Sequence, residues 1–599
     1  MAKRTFPIDY TSRDFDSIRD DLINYTKRYY PDTFKDFSEA SFGSLMLDTV
    51  AYTGDIMSFY LDYQVNEGFL DTASEYSNVL RLAKQMGYKF TGAQSTTGMV
   101  SVYAIIPASP TGLGPDNSYL PILKRNSTLT SKNGGSYILV EDMRFDDPAN
   151  DIVVANVNTT TGTPTSYAIK AQGQVISGKL ETVEIPIGEF QRFRTVEIPD
   201  SNAVEIISVF DSEGNEYFEV EYLTQDMIYK SVPNNDVNTK ANAPSLIRPF
   251  TANRRFIVNK DRDGMTIQFG SGTTQDISTS GLSDPANVVL RRFAKDYITD
   301  TTFDPTDLVG SDKMGIAPAN TTLIVNYRSN TINDASAAVG AITKVASPVF
   351  EFVNPIVANT TAASNVITSL EAFNEEPILG SVTNPSVEEI RMQALNIFPS
   401  QNRAVTGPDY EAIIYAMPGH LGAIKRCRVI RDQDSIKRNL NVFVVSEDSF
   451  GKLTVANSAI KENIKIHLNR YRMINDTVDI LDAKIVNIGI DFEVIAADEI
   501  DRFEVLDNAT TAVVNQFGGK TMFIGERFYI TDVMSALNKV RGVADTVKVK
   551  LVSKRGSSYS SSTLNIDQFM SPDGRYLSVP DNVILEIKFP KIDIKGTVR

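Results

Sequence analysis

The stretch FGSLMLDTVAYTGDIMSFYLDYQVNEGFLDTASEYSNVLRLAKQMG, Phe42 to Gly87, decides how the rest of the chain is read. One stripe of residues spaced three and four apart runs Phe42, Leu45, Met46, Thr49, Thr53, Ile56, Met57 and Tyr60. A second runs Leu47, Val50, Ala51, Gly54, Leu61 and Val65. Charge is confined to Asp48, Asp55 and Asp62, spaced seven apart, so an otherwise apolar cylinder carries one narrow acidic line. A helix with so little polar surface must be surrounded. Two readings follow: the central helix of a local domain, or a helix buried partly by other chains.

The flanks supply few helices for the task. Before it, Phe15, Ile18, Leu22, Tyr25 and Tyr29 share one face of a helix that Pro31 ends. After it, Thr72 and Glu75 have capping-box spacing, Tyr76, Val79, Leu80, Leu82 and Ala83 follow, and Gly87 is placed to cap the C-terminus. Such helices make a thin bundle. Phe34, Phe37, Phe42, Met46, Met57, Phe59, Tyr60, Tyr63 and Phe69 are dense enough to indicate an interface as well as a core.

The run within Asp36 to Lys89 resembles the N-terminal segment of the large baseplate wedge subunit of contractile-tailed phages, the baseplate J-like family. The shared features are the aromatic-glycine-small-leucine start Phe42-Gly43-Ser44-Leu45, Asp48 before the pair Ala51-Tyr52, and the closing Gly87-Tyr88.

At 599 residues the chain exceeds a single core, and roughly three to five domains are expected. Hydrophobic content of 42% and charged content of 22% are those of an ordinary globular protein. A net charge of −15 disfavours binding to a phosphate backbone, because that affinity comes from Lys and Arg displacing counterions. The sole cysteine, Cys427, excludes an internal disulfide or a multi-thiolate metal site and fits folding in a reducing cytoplasm. It lies in a strand-like run, Ile424 to Ile430, and reads as an inert thiol. MAKRTFPIDYTSRDFD lacks an apolar core of signal-peptide length, and no apolar run is long enough to span a bilayer, so neither membrane nor nucleic acid is an expected partner.

From Thr97 to about Val345 the pattern changes to short alternating strands. Examples are Met99 to Ile106, Ser136 to Val140, Ile152 to Val157, Phe193 to Ile198, Ala203 to Val209 and Glu216 to Glu221. Asp261 to Gly264 reads as a hairpin turn between Phe256–Val258 and Met265–Phe269. As a calcium loop it fails, since Gly264 comes too early and Gly272 stands where a bidentate Glu is needed. Lys124 to Met143, Ile267 to Gly272 and Leu323 to Asn333 resemble successive landmarks of the same family, although Ser271 stands where the family often has an acidic residue. Ser347 to Asn384 is poor in charge and punctuated by Pro348, Pro355 and Pro377, which reads as a linker or surface arm.

Pro385 opens a helix over Ser386 to Ile397. Next comes Asn402-Arg403-Ala404-Val405-Thr406-Gly407-Pro408-Asp409-Tyr410-Glu411, which closely resembles the arginine-alanine-valine-threonine and aspartate-tyrosine-glutamate signature of the family. Physically, Thr406 can cap the following turn, Pro408 starts a helix, and Tyr410 with Ile413 or Ile414 packs it down. Arg403, Val405, Thr406, Asp409 and Tyr410 are therefore candidate structural residues. Strands are expected at Ile424 to Ile430, Leu440 to Ser446 and Val478 to Ile495, the last broken near Asn487. Helices are expected at about Val455 to Tyr471, around Phe503 to Phe517, and at Ile530 to Val540. Arg555 to Ser562 reads as a flexible loop.

No catalytic constellation emerges. His420 sits in a Pro418-Gly419 turn and His467 on an amphipathic helix, no G-x-S-x-G elbow is present, and Cys427 lacks a cationic helix start. Gly519-Lys520-Thr521 resembles the end of a phosphate loop, but Val514 holds the place of its first glycine. The basic cluster Lys425, Arg426, Arg428, Arg431, Lys437 and Arg438 reads as the solvated face of a hairpin, with a docking patch for an acidic neighbour as the alternative. No enzyme activity, cofactor or metal is expected.

The expected architecture is α+β and multidomain: N-terminal helices over 1–96, a β-rich centre over 97–345, the arm over 346–384, an α/β domain over 385–480, and a C-terminal α/β ring-contact domain over 481–599. Phe42, Leu45, Met46, Val50, Ile56, Met57, Tyr60 and Leu61 are the candidate subunit-interface residues. The resemblance implies a structural wedge protein of a virion tail baseplate, assembled in the host cytoplasm. It further implies a homodimer within a six-fold ring that joins its N-terminal helices to another wedge subunit and meets hub and sheath-initiation proteins. It would hold neighbouring wedges and pass the contraction trigger to the sheath. A component of a phage-derived injection or secretion system is the nearest alternative, and a polysaccharide-binding or degrading tail protein the next.

Overall fold

The computed structural model describes residues 14–30, 36–38, 41–90, 92, 95–110, 114–233, 245–261, 264–272, 314–331, 335–352, 360–380, 384–432, 439–448, 450–497, 501–519 and 521–599. As expected, N-terminal helices precede a β-rich region and then mixed α/β structure. The chain divides into two units: Met1–Phe90 with Pro385–Gln401, and Thr91–Asn384 with Asn402–Arg599.

In the first unit, α1 spans Phe15–Tyr29, α2 spans Phe42–Asn66 and α3 spans Tyr76–Gln85. The Asp14 carboxylate accepts from Ser17 N at 3.2 Å, and Lys27 and Arg28 in the last turn of α1 complement the helix dipole. Ser41 starts α2 by accepting from Ser44 N at 3.0 Å. Gly87 ends α3 as expected. Its φ of +92° lets Gly87 N reach Lys84 O at 3.0 Å and Tyr88 N reach Ala83 O at 3.1 Å.

The start of α3 differs from the capping box expected of Thr72 and Glu75. Thr72 donates to Asn66 O at 2.7 Å, and Glu75 makes no side-chain cap. The cap is the Glu67 carboxylate, which reaches over from the end of α2. It accepts from Ser74 N at 2.8 Å, Ser74 Oγ at 2.7 Å, Glu75 N and Asn78 Nδ2 at 3.0 Å. These donors favour the charged form over the opposing effect of burial and hold Glu67 down at about 2.

Helix Val387–Ser400 belongs to this unit, whereas the sequence placed it at the head of an α/β domain. The reason is its buried face. Ile390 and Ala394 pack with Val79, Leu80, Ala83, Tyr88 and Phe90, completing a core that α3 cannot close alone. Arg391 fastens the joint by donating from Nε to Leu70 O at 2.6 Å and from Nη2 to Ala73 O at 2.7 Å. Tyr88 donates to Gln393 Oε1 at 3.0 Å.

The second unit opens with a barrel. Thr97–Pro107, Glu371–Phe373, Ile342–Ser347, Thr128–Ser131, Ser136–Leu139 and Pro164–Ser177 pair in that order, and the last returns antiparallel to the first. Along Thr97–Pro107 the alternate residues Val100, Val102, Ala104 and Ile106 all face the core. Ser347 to Asn384, read from sequence as a linker or surface arm, is in part a wall of this barrel. Phe373, Ala372 and Glu371 pair with Ser101, Val102 and Tyr103, and Val366 and Ile378 are buried. The scarcity of charge that suggested a linker is what permits this burial. Residues 353–359 and 381–383 of that stretch lie outside the described residues.

A second sheet is inserted between Gly178 and Asn330, in the order Lys179–Ile187, Thr321–Ser329, Ala203–Phe210, Glu216–Glu219, Arg255–Lys260, Met265–Phe269, Thr195–Ile198. The expected hairpin forms, with Lys260 opposite Met265 and Asp261 N bonded to Gly264 O at 3.0 Å, while residues 262 and 263 lie outside the described residues. At the Phe269-Gly270 landmark, a Cβ on Gly270 would stand 2.1 Å from Gly315 O, so only glycine fits.

Beyond residue 402, Arg426–Arg431 pairs with Asn439–Glu447, which takes Thr477–Asp482 in parallel. Helix Ser458–Leu468 covers this sheet through Ile460, Ile464 and Leu468. In the last module, Lys484–Ala496 pairs with Val543–Ser553 and Ile594–Val598 under helices Arg502–Phe517 and Ile530–Asn538. The long strand expected from Val478 breaks at Ala483 instead of near Asn487. Asn487 is an anchor, accepting from Ser560 N at 2.7 Å and donating to Glu586 Oε2 at 2.7 Å, so the serine-rich loop is tied down.

Candidate interaction surface

In α2 the usual arrangement of faces is reversed. Toward α1 it presents small and polar residues. Ala51 is fully buried, the acidic line meets α1 where Arg19 Nε donates to Asp48 Oδ1 at 2.7 Å, and a Cβ on Gly54 would touch Ile18 at 3.4 Å. The large apolar residues point away. Phe42 is 77% exposed, Met57 61%, Tyr60 64% and Leu61 64%, and Leu45, Met46 and Val50 are each more than half exposed. Of the candidate interface residues only Ile56 is half-buried.

Two hydroxyls on this outer face are committed to the helix itself. Thr49 Oγ1 donates to Leu45 O at 2.8 Å and Thr53 Oγ1 to Thr49 O at 2.9 Å, so both threonines present mainly their methyl groups. Phe59 and Tyr63 stack with ring centroids 6.3 Å apart. A continuous apolar face of this kind is unusual on a domain that ends at its own surface.

The Arg403 to Glu411 motif is a packing device. Ala404 N bonds to Tyr471 O at 3.0 Å, and the Asp409 carboxylate accepts from Thr406 N at 2.8 Å and Val405 N at 3.2 Å. This holds the first turn of helix Gly407–Tyr415. Tyr410 is fully buried, and burial together with the neighbouring Asp476 carboxylate raises its phenol well above the ordinary range. Glu411 accepts from Val429 N at 2.9 Å, while Arg403, Val405 and Thr406 stay exposed.

Of the basic cluster, Arg431 is exposed as expected of a solvated hairpin face, whereas Lys425, Arg426 and Arg428 are held by partners within the chain. Lys425 pairs with Glu447 at 3.1 Å, and the nearly buried Arg426 lies over the Phe523 ring and donates to Thr521 O at 3.2 Å. Arg428 donates to Ile524 O at 2.6 Å and pairs with Asp581 at 2.7 Å. Arg426 and Arg428 thereby join the last two modules. Lys437 and Arg438 lie outside the described residues. Sequence reasoning missed this joint because nothing local marks the carbonyls that Arg426 and Arg428 reach.

Among the described residues neither histidine has a hydrogen bond to a serine, threonine or cysteine side chain. His467 is buried against Tyr471, and burial lowers it to about 4. Cys427 is buried, and burial pushes its thiol up. Among the described residues no group of His, Cys, Asp and Glu is placed to hold a metal ion, and no helix is long and apolar enough to cross a membrane.

Residues 14–85, which contain α1, α2 and α3, match the family described as bacteriophage baseplate protein, N-terminal domain. None of the curated proteins matches the chain. Among solved structures, the six-fold symmetrised baseplate of the anti-feeding prophage aligns at 9% identity and a TM-score of 0.23, over 96% of this chain and 98% of that one. The type VI secretion system TssK-TssF-TssG baseplate subcomplex aligns at 8% identity and a TM-score of 0.24, over 74% of this chain and 96% of that one. At those scores neither superposition bears on the fold or partners of this chain.

Proposed function

We propose that this protein is a structural wedge subunit of a contractile-tail baseplate of the J-like type and performs no catalysis. Its N-terminal helices join a bundle completed by helices of neighbouring subunits, including a second copy. Its C-terminal modules make the repeated contacts of a ring around the tail hub. The trigger for contraction would pass through these contacts to the sheath. The observation that carries the reading is the reversed α2, in a segment that matches a baseplate N-terminal domain. Burying one Leu or Ile side chain is worth about 1.5 to 3 kcal/mol, so a face this large is costly to leave in water.

The test is assembly. The full chain is mixed with the other baseplate proteins encoded beside it, and the mass of the complexes is measured for the parent and for Met57→Asp. Loss of the complex in the variant is the expected result. Complexes of unchanged mass and affinity would exclude α2 as the interface, and hydrolysis of host polysaccharide by the purified chain would exclude a purely structural role.

A further inference from the structure

The inserted sheet leaves the barrel through Gly178, whose φ is +132°, and returns along Thr321–Ser329. Arg328, on that return, is 2% exposed. Its Nη1 donates to Ser177 O at 2.8 Å and to Ser95 Oγ, and its Nη2 donates to Glu205 Oε2 at 2.8 Å. A Cβ on Gly178 would lie 2.8 Å from Arg328 Cγ, so the exit and the guanidinium occupy one tight space. One buried cation thus binds the barrel edge on one side and the insert on the other.

Glu205 has a second oxygen, and it faces a different module. Its Oε1 stands 3.3 Å from Nδ1 of His420, in the turn Gly419–Leu421. The His420 side chain is 46% exposed and that of Glu205 32%. The other cations around this pair are Lys260, which donates to Val204 O, and Arg470. The two partners of one carboxylate therefore differ in how easily they separate. Water can replace the exposed imidazole at little cost. Separation from Arg328 would strand a buried charge.

We infer that Glu205 and His420 form a releasable latch that sets the orientation of the inserted sheet against the α/β module, with Arg328 as the pivot that stays closed when the latch opens. Opening leaves Glu205 paired with Arg328, so no buried charge loses its partner. The insert also carries the ribbon Met227–Pro233 and Ser245–Thr251, on which Tyr229 is 69% and Ile247 73% exposed. The latch thereby sets the direction in which this apolar ribbon is presented.

The test uses the full chain. Cys427 is the sole cysteine and is buried, so spin labels go to two introduced cysteines, Glu184→Cys on the insert and Lys465→Cys on helix Ser458–Leu468. Double electron–electron resonance should give one narrow distance distribution for the labelled parent. His420→Ala should broaden or shift it with an unchanged melting temperature. Glu205→Gln should do the same but with a lowered melting temperature, because it also takes the carboxylate from buried Arg328. His420→Gln, which keeps a side-chain donor, should restore it. A distribution equally narrow in His420→Ala and Glu205→Gln overturns the latch. So does one as broad in His420→Gln as in His420→Ala, because ring packing would then be the cause.

Discussion

Tyr410 donates its hydroxyl hydrogen to Asp476 Oδ2 at 2.8 Å, across 66 residues of sequence. The bond ties the first turn of helix Gly407–Tyr415 to the turn before strand Thr477–Asp482, and the ring behind it is fully buried. Replacing Tyr410 by Ala should cost about 3 to 5 kcal/mol through the cavity left behind. Tyr410→Phe, which removes only the hydroxyl, should cost about 1 kcal/mol. Denaturant titration of the full chain checks both. Loss of assembly in Tyr410→Phe at unchanged stability would make the motif a contact site instead.

Glu67 predicts an acid-sensitive joint between α2 and α3. Its pKa is depressed from the model-peptide value of 4.5 to about 2, so its contribution is present above about 4.5 and is lost as the pH falls through about 2. Glu67→Gln should lower stability near neutrality by about 2 kcal/mol, the order of its charge-assisted hydrogen bonds, and should flatten the dependence below pH 4.5. Hydrogen exchange of the first turn of α3 against pH reads this out. An unaltered profile in Glu67→Gln contradicts the assignment.

Phe42, Met57 and Tyr60 should separate stability from assembly. Because all three are exposed in the single chain, replacement by Ser should change its stability by no more than about 0.5 kcal/mol each. The parent should self-associate as its concentration rises, and the triple variant should remain monomeric. Analytical ultracentrifugation decides it. A parent that stays monomeric at all concentrations would show that the face is stable in water.

Gly270→Ala should be far more harmful than an ordinary loop substitution. The added carbon would meet Gly315 O at 2.1 Å, and backbone cannot move aside as a flexible side chain would. The expected cost is about 3 kcal/mol, at the upper end for overpacking, read as a fall in the thermal midpoint.

Local signals in the sequence were reliable where the cause is local. The start of α2 at Phe42, the glycine stop at Gly87 and the hairpin around Asp261 each follow from a few adjacent residues, and the structure has them where they were expected. The exposure of Leu45, Met57 and Leu61 also follows from a helix with too few covering partners. What sequence could not carry was pairing at a distance. Glu371–Phe373 is too short to show strand periodicity, yet it seals the barrel. Glu67 resembles any surface acid until α3 folds back onto it. Arg426 and Arg428 resemble a solvated patch until the chain beyond Thr521 supplies their carbonyls.

The membership of Val387–Ser400 in the N-terminal unit sets an order of events during synthesis. Val79, Leu80 and Ala83 emerge from the ribosome early, but Ile390 and Ala394, which complete their core, are made only after the barrel strands and the inserted sheet between them. The last barrel strand, Glu371–Phe373, just precedes them. The N-terminal helices thus wait, with their core open, through the translation of about half the polypeptide. A truncated product ending before residue 385 would carry the apolar α2 beside a core that lacks Ile390 and Ala394.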